Sequence, residues 1–351
     1  AAAAAPIILN VILILSLFIS YFFNLNFEFN LSFAVSIAGF IQLIFLVFVT
    51  KFYYKPTINF KINLNPRVKF FFKKLLPSIF SSGVTQINIL IGTIIASFES
   101  GAVSYLYYAD RVYQINLAIA GIAIGTVALP VLSNKIKSGD QFEINNIQNK
   151  SLELSLLLSI PAAFGLLIAS IEIVNALFGY GSFKEGDILL TAKALYFFGL
   201  GIPAFSLVKI LSNFFFARDN TKTPFYISVI TVAVNVLISL SFFNSYGFVI
   251  IPIATSISAW FAVLMYFILL IKLKYFQSSL DFLKNCLKIL ISTLVMSVLL
   301  IFFLNIFEDK LIYSNNFKSI YLIMIVVVSA GAYLLIAKIL GVFKIKNFKI
   351  N

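Results

Sequence analysis

A chain of 351 residues that is 61% hydrophobic, 16% aromatic and only 11% charged lies outside the soluble globular range, in which about a quarter of residues carry charge. Forty Phe and sixteen Tyr exceed what a water-soluble core of this size can hide, so a cytosolic or secreted globule is excluded and lipid is required. With no His and a single Cys, Cys286, a His relay, a Cys/His zinc site and an intrachain disulfide are excluded too.

A bilayer core about 30 Å thick takes roughly 20 apolar residues per helix. Runs of that kind occur at residues 6–24, 31–51, 78–98, 104–133, 152–174, 188–217, 224–243, 248–271, 285–304 and 318–340. They are continuous rather than alternating, which selects helices over a barrel. The predicted fold class is therefore an all-α polytopic membrane protein with ten transmembrane helices. The net charge of +13 sits in the loops: 20 of the 26 Lys and Arg fall between alternate spans, at residues 51–77, 134–151, 218–223, 272–288 and from Lys338 onward. The positive-inside rule makes that set cytoplasmic. The stretch Arg67-Val-Lys-Phe-Phe-Phe-Lys-Lys reads as a short interfacial helix on anionic membrane lipid, and the basic excess calls for no nucleic-acid partner.

A weak internal repeat relates spans one and two to spans seven and eight. Pro6 opens a span followed by Ala34-Val-Ser-Ile-Ala-Gly-Phe, and Pro224 opens one followed by Ala254-Thr-Ser-Ile-Ser-Ala-Trp. With a six-helix repeat unit, spans three to eight form a complete second unit. Spans one and two are then the tail of a first unit, whose opening four helices are expected upstream of the run of five Ala. Span six is long for one crossing and carries Gly199, Gly201 and Pro203 at its middle, a pattern that kinks membrane helices and predicts a hinge there. Gly121 and Gly125 instead read as a close-packing stripe.

Ionisable side chains inside a span are costly and mark function by default. Arg111, beside Asp110 in Tyr107-Tyr-Ala-Asp-Arg-Val-Tyr-Gln114, is the clearest. Neighbours on a helix point about 100° apart, so Asp110 is poorly placed to bridge Arg111, and the guanidinium is available to an anion such as a phosphate or diphosphate. A structural pairing with a carboxylate on another helix is the alternative. Lys209 and Arg218, at the inner end of span six, read as structural or gating charges, with snorkelling open to Lys209. The outer carboxylates are scattered and there is no Walker-type loop, so neither hydrolytic nor ATP-driven chemistry is predicted.

The stretch Ser100-Gly-Ala-Val-Ser-Tyr-Leu-Tyr-Tyr-Ala-Asp-Arg-Val-Tyr-Gln114, followed by Gly121-Ile-Ala-Ile-Gly-Thr-Val-Ala-Leu-Pro130, resembles the MurJ (MviN) family of lipid II flippases. Leu177-Phe-Gly-Tyr-Gly-Ser-Phe and Phe214-Phe-Phe-Ala-Arg-Asp-Asn-Thr-Lys-Thr-Pro224 are similar to that family in the same order. The resemblance implies that the ten spans match helices 5 to 14 of a fourteen-helix, two-lobe flippase. Residues 1–55 would end the first lobe, 56–77 form a basic linker, 78–272 form the second lobe, and 285–340 form a terminal pair with a lipid-tail groove. It implies alternating-access export of lipid II across the bacterial inner membrane, with cell-wall synthesis proteins as further partners and no enzymatic activity.

The same resemblance makes Arg111 the cavity arginine that contacts the lipid diphosphate, with Asp110, Ser104 and Gln114 lining the same region. It implies no cofactor. Some members place an acidic sodium ligand where this chain has Gly92, which argues against Na⁺ coupling. The alternatives are a flippase for another lipid-linked saccharide, a drug/cation antiporter of the same superfamily, or a polytopic glycosyltransferase acting on lipid-linked sugars.

Overall fold

The computed structural model describes residues 5–53, 65, 66, 68, 83, 84 and 86–342. The predicted basic linker, including its interfacial helix, falls almost wholly outside the described residues. The chain divides into two compact units, Ala1–Lys73 and Lys74–Asn351.

The first unit holds α1 (Ala5–Phe22) and α2 (Phe27–Tyr53), an antiparallel hairpin. Its apolar faces supply little specificity, so polar side chains fix the register. The Asn30 amide donates to the Ser20 hydroxyl at 3.0 Å, and the Gln42 amide donates to the Ala5 carbonyl at 2.8 Å.

In the second unit, α3 (Gln86–Ala96) precedes α4 (Ala102–Leu117), a π-helical segment (Ala118–Ala123) and α5 (Ile124–Ser138), which together make one crossing. Then follow α6 (Gln141–Ile168), α7 (Ser170–Phe178), α8 (Glu185–Phe216), α9 (Lys222–Tyr246), α10 (Ile250–Lys272), α11 (Leu280–Ile306) and α12 (Lys318–Ile339). Among the described residues, every element is a helix or a turn. Counting α9 and α10 separately, the described helices cover nine of the ten predicted spans, and the shorter apolar helix α3 lies within the third.

Helix α8 is the hub: it packs against α4, α6, α7 and α10, and its buried residues join both large core clusters. A helix surrounded by protein needs no polar stripe, which matches its near-continuous apolar sequence. Helices α9 and α10 form a hairpin like that of α1 and α2. Its polar register pin is Asn235, whose amide donates to the Thr255 hydroxyl at 3.1 Å and lies 3.4 Å from the Ser258 hydroxyl.

One expectation needs correction. The basic loop at 134–151 is mostly helix, because Gly139 in the left-handed region (φ 75°) ends α5 and the Asp140 carboxylate caps α6 by accepting the Glu143 N–H at 3.1 Å. The predicted hinge of span six lies within continuous helix. Helix α8 runs as unbroken α-helix through Gly199, Gly201 and Pro203, all buried, with Gly199 close against Ala163 and Leu166 of α6. Neighbouring helices support the backbone around the proline, as they can in membranes. The irregularities lie elsewhere, in the π segment and at Ala169, where φ −114° and ψ 26° separate α6 from α7.

Candidate functional site

Helix α4 has two unlike faces. On the inner face, Tyr105 packs on Phe248 (5.8 Å between ring centroids), Tyr108 on Phe178 (4.8 Å) and Phe183 (5.2 Å), and Tyr113 on Phe198 (4.7 Å) and Phe205 (5.3 Å). Ala109 and Val112 are fully or nearly fully buried between these rings. The outer end is fixed by polar contacts as well. The Tyr105 hydroxyl donates to Asp187 at 3.0 Å, and the same carboxylate caps α8 by accepting the Lys184 N–H at 2.8 Å. Glu99, just before α4, accepts the Phe248 N–H at 2.7 Å and so ties this end to the turn between α9 and α10.

The opposite face carries Ser104, Tyr107, Arg111 and Gln114, spaced by three, four and three residues and all exposed. These are the predicted site residues plus Tyr107. The Arg111 guanidinium donates to the Tyr107 hydroxyl at 2.8 Å and stands 4.7 Å from the centre of that ring. Asp110 is half-buried and accepts from the Gln114 amide. The adjacent acid and base therefore turn to separate partners on their own helix, each four residues away. Tyr107 was missed as a site residue, although its place one turn before Arg111 was a usable signal.

The other predicted charges lie apart. Arg218, just past α8, is half-buried: it donates to the carbonyls of Phe214 (2.8 Å) and Tyr275 (3.0 Å) and stacks on the Tyr275 ring at 4.4 Å. Burial lowers its pKa, and the site is one of helix capping and linker anchoring. Lys209 is exposed on the inner half of α8, beside the turn where the Asn213 amide donates to the Gly125 carbonyl at 3.0 Å. Gly92 lies against Ile251 of α10. Among the described residues, no group of three or more His, Cys, Asp or Glu could hold a metal ion.

A second feature is a cavity of about 400 Å³ between α6, α11 and α12, lined chiefly by apolar groups including Pro161, Gly165, Leu300, Ala330 and Leu334. Its polar rim is sparse: Tyr333 spends its hydroxyl on the Leu157 carbonyl at 2.6 Å. Such a groove suits hydrocarbon.

Comparison with known proteins agrees with this architecture. The family model described as lipid II flippase MurJ matches residues 1–332. A probable lipid II flippase MurJ of Rickettsia prowazekii (strain Madrid E) is 40% identical over 228 residues, 64% of this chain and 44% of its own length. One from Rhizobium tropici is 33% identical over 347 residues, 97% of this chain and 65% of its own. A solved lipid II flippase MurJ in an inward closed conformation superposes with a TM-score of 0.78 at 27% identity, covering 96% of this chain and 66% of that one. A MATE transporter in a straight conformation, 17% identical with a TM-score of 0.51, shares the fold alone. The chain spans 44% to 65% of the length of these two curated relatives. On the family model and on the helix order it accompanies, the chain belongs to the MurJ lipid II flippase family.

Proposed function

We propose that the full protein exports lipid II across the bacterial cytoplasmic membrane by alternating access, and that Arg111 receives the lipid diphosphate on the way. One observation carries the reading: α4 exposes Ser104, Tyr107, Arg111 and Gln114 on a single face, whereas α11 and α12 expose Leu, Ile and Val. A charged guanidinium facing hydrocarbon would be costly, and such residues in membrane proteins line water-filled paths. Tyr107 takes one of the five guanidinium donors. The fork that remains matches two phosphate oxygens, and Gln114 keeps the Asp110 carboxylate occupied.

In this scheme residues 1–55 close the first lobe and 78–272 form the second. The terminal pair at 285–340 offers the groove beside α6 to the polyprenyl chain while the saccharide crosses through the cavity. Rocking of one lobe against the other is the generic motion of repeat-built transporters.

The test is lipid II flipping by the full-length protein in vesicles. Arg111→Ala is expected to abolish flipping while the protein still accumulates in the membrane. Arg111→Lys keeps the charge but loses the fork, and is expected to retain about 1% to 10% of the rate, since charge-assisted hydrogen bonds are worth about 1.5–3 kcal/mol. Full activity of the alanine variant would refute the assignment. Because Gly92 stands where a sodium-binding acid would be needed, exchange of Na⁺ for K⁺ is expected to leave the wild-type rate unchanged.

A further inference from the structure

Lys318 opens α12 and is 1% exposed. A cation at a helix N-terminus opposes the helix dipole, and a buried ammonium survives only where its donors are met. Lys318 reaches away from its own helix to the C-terminal end of α7. Its ammonium donates to the Gly179 carbonyl at 2.6 Å and to the Tyr313 carbonyl at 2.8 Å. The rings of Tyr180 and Tyr313 flank it at 4.2 and 4.7 Å, a cation–π enclosure. None of these four partners is a carboxylate.

The surrounding bonds run the same way. The Ser319 hydroxyl donates to the Ala176 carbonyl at 2.7 Å, and Ser319 also bonds the Tyr180 hydroxyl at 2.6 Å. The Asn175 amide donates to the Leu311 carbonyl at 2.7 Å, and the Tyr313 hydroxyl donates to the Phe183 carbonyl at 3.0 Å. Midway along α12, Tyr333 is bonded to α6. At the other end, Asn149 of α6 donates to the Gln277 carbonyl at 2.9 Å and accepts the Ser279 N–H at 3.1 Å, while the Asn285 amide donates to Glu153 at 3.0 Å. The terminal pair is thus fastened to α6 and α7 at three depths. Swinging it away would break these bonds together and leave the buried Lys318 ammonium without its two carbonyl acceptors.

We infer that Lys318 is a positioning residue that locks α11 and α12 to α7, so that the pair moves with the second unit as one body and the groove beside α6 keeps its width throughout transport. The role in transport rests on the flippase reading above; the lock itself does not.

The experiment uses the full-length protein with Cys286→Ser. Spin labels at Ile171 on α7 and Leu335 on α12, both exposed, report the separation of pair and lobe. A narrow distribution, unaltered when lipid II is added, is expected. Lys318→Met is expected to broaden it and to slow flipping by about tenfold or more, the loss of charge-assisted hydrogen bonds. In that variant an oxidised Ala176→Cys/Ser319→Cys bridge is expected to restore both the narrow distribution and the rate. An unchanged distribution in Lys318→Met, or loss of flipping when the bridge is closed in the parent protein, would overturn the inference. If the parent itself moves no lipid II, the flippase reading fails, and the label distances still decide the lock.

Discussion

Gly247 sits between α9 and α10 with φ 59° and ψ −152°, a region open to glycine almost alone. A Cβ there would also stand 2.7 Å from the Glu99 carboxylate, which is already committed to the Phe248 N–H. Gly247→Ala is expected to destabilise the protein by about 1–3 kcal/mol, read as a lower melting temperature in detergent. Tyr333→Phe removes only the hydroxyl that meets the Leu157 carbonyl and is expected to cost about 1 kcal/mol. Residues differ in how plainly they announce themselves. Arg111 was legible because a fixed charge interrupts an apolar run. Lys318 was not legible, because nothing in a lysine's flanking sequence shows that two tyrosines and the end of another helix will close around it. Those partners lie 138 or 139 residues away in Gly179 and Tyr180, and nearby in Tyr313.

Among the elements, the crossing made by α4 and α5 combines two signals of different visibility. Its glycines were readable as packing positions: a Cβ on Gly121 would come within 3.1 Å of the Ser206 backbone on α8. Gly121→Val is therefore expected to push the helices apart and destabilise by about 1–3 kcal/mol, measurable by the same melt. The π-helical turn at Ala118–Ala123 was not readable, since Ala-Ile-Ala-Gly-Ile-Ala has the same hydropathy pattern in either helix type. Single π turns often mark functional sites, and this one lies below Arg111 on the same crossing. The start of α6 was legible and overlooked: Gly139-Asp140 followed by Glu143 is a helix stop joined to a helix start, which turns an expected loop into two helix ends.

For the molecule as a whole, helix number and order were open to inspection because lipid leaves the backbone few choices and apolar runs of one length recur. What needed coordinates was which helix lies at the centre, since α8 differs from its neighbours in surroundings more than in composition. The charge distribution predicts sidedness. In a Cys286→Ser background, Ile312→Cys, exposed before α12, is expected to react with a membrane-impermeant maleimide in intact cells. Ser138→Cys, exposed at the end of α5, should react only after permeabilisation, and the reverse pattern would invert the topology. The fastening of α12 has one more effect. Its acceptors at Gly179, Ala176 and Leu157 are main-chain oxygens, and every residue type supplies one. A substitution at Ala176 or Leu157 leaves that acceptor in place, while the burden of staying unchanged falls on the donors Lys318, Ser319 and Tyr333 and on Tyr180, whose ring and hydroxyl meet Lys318 and Ser319.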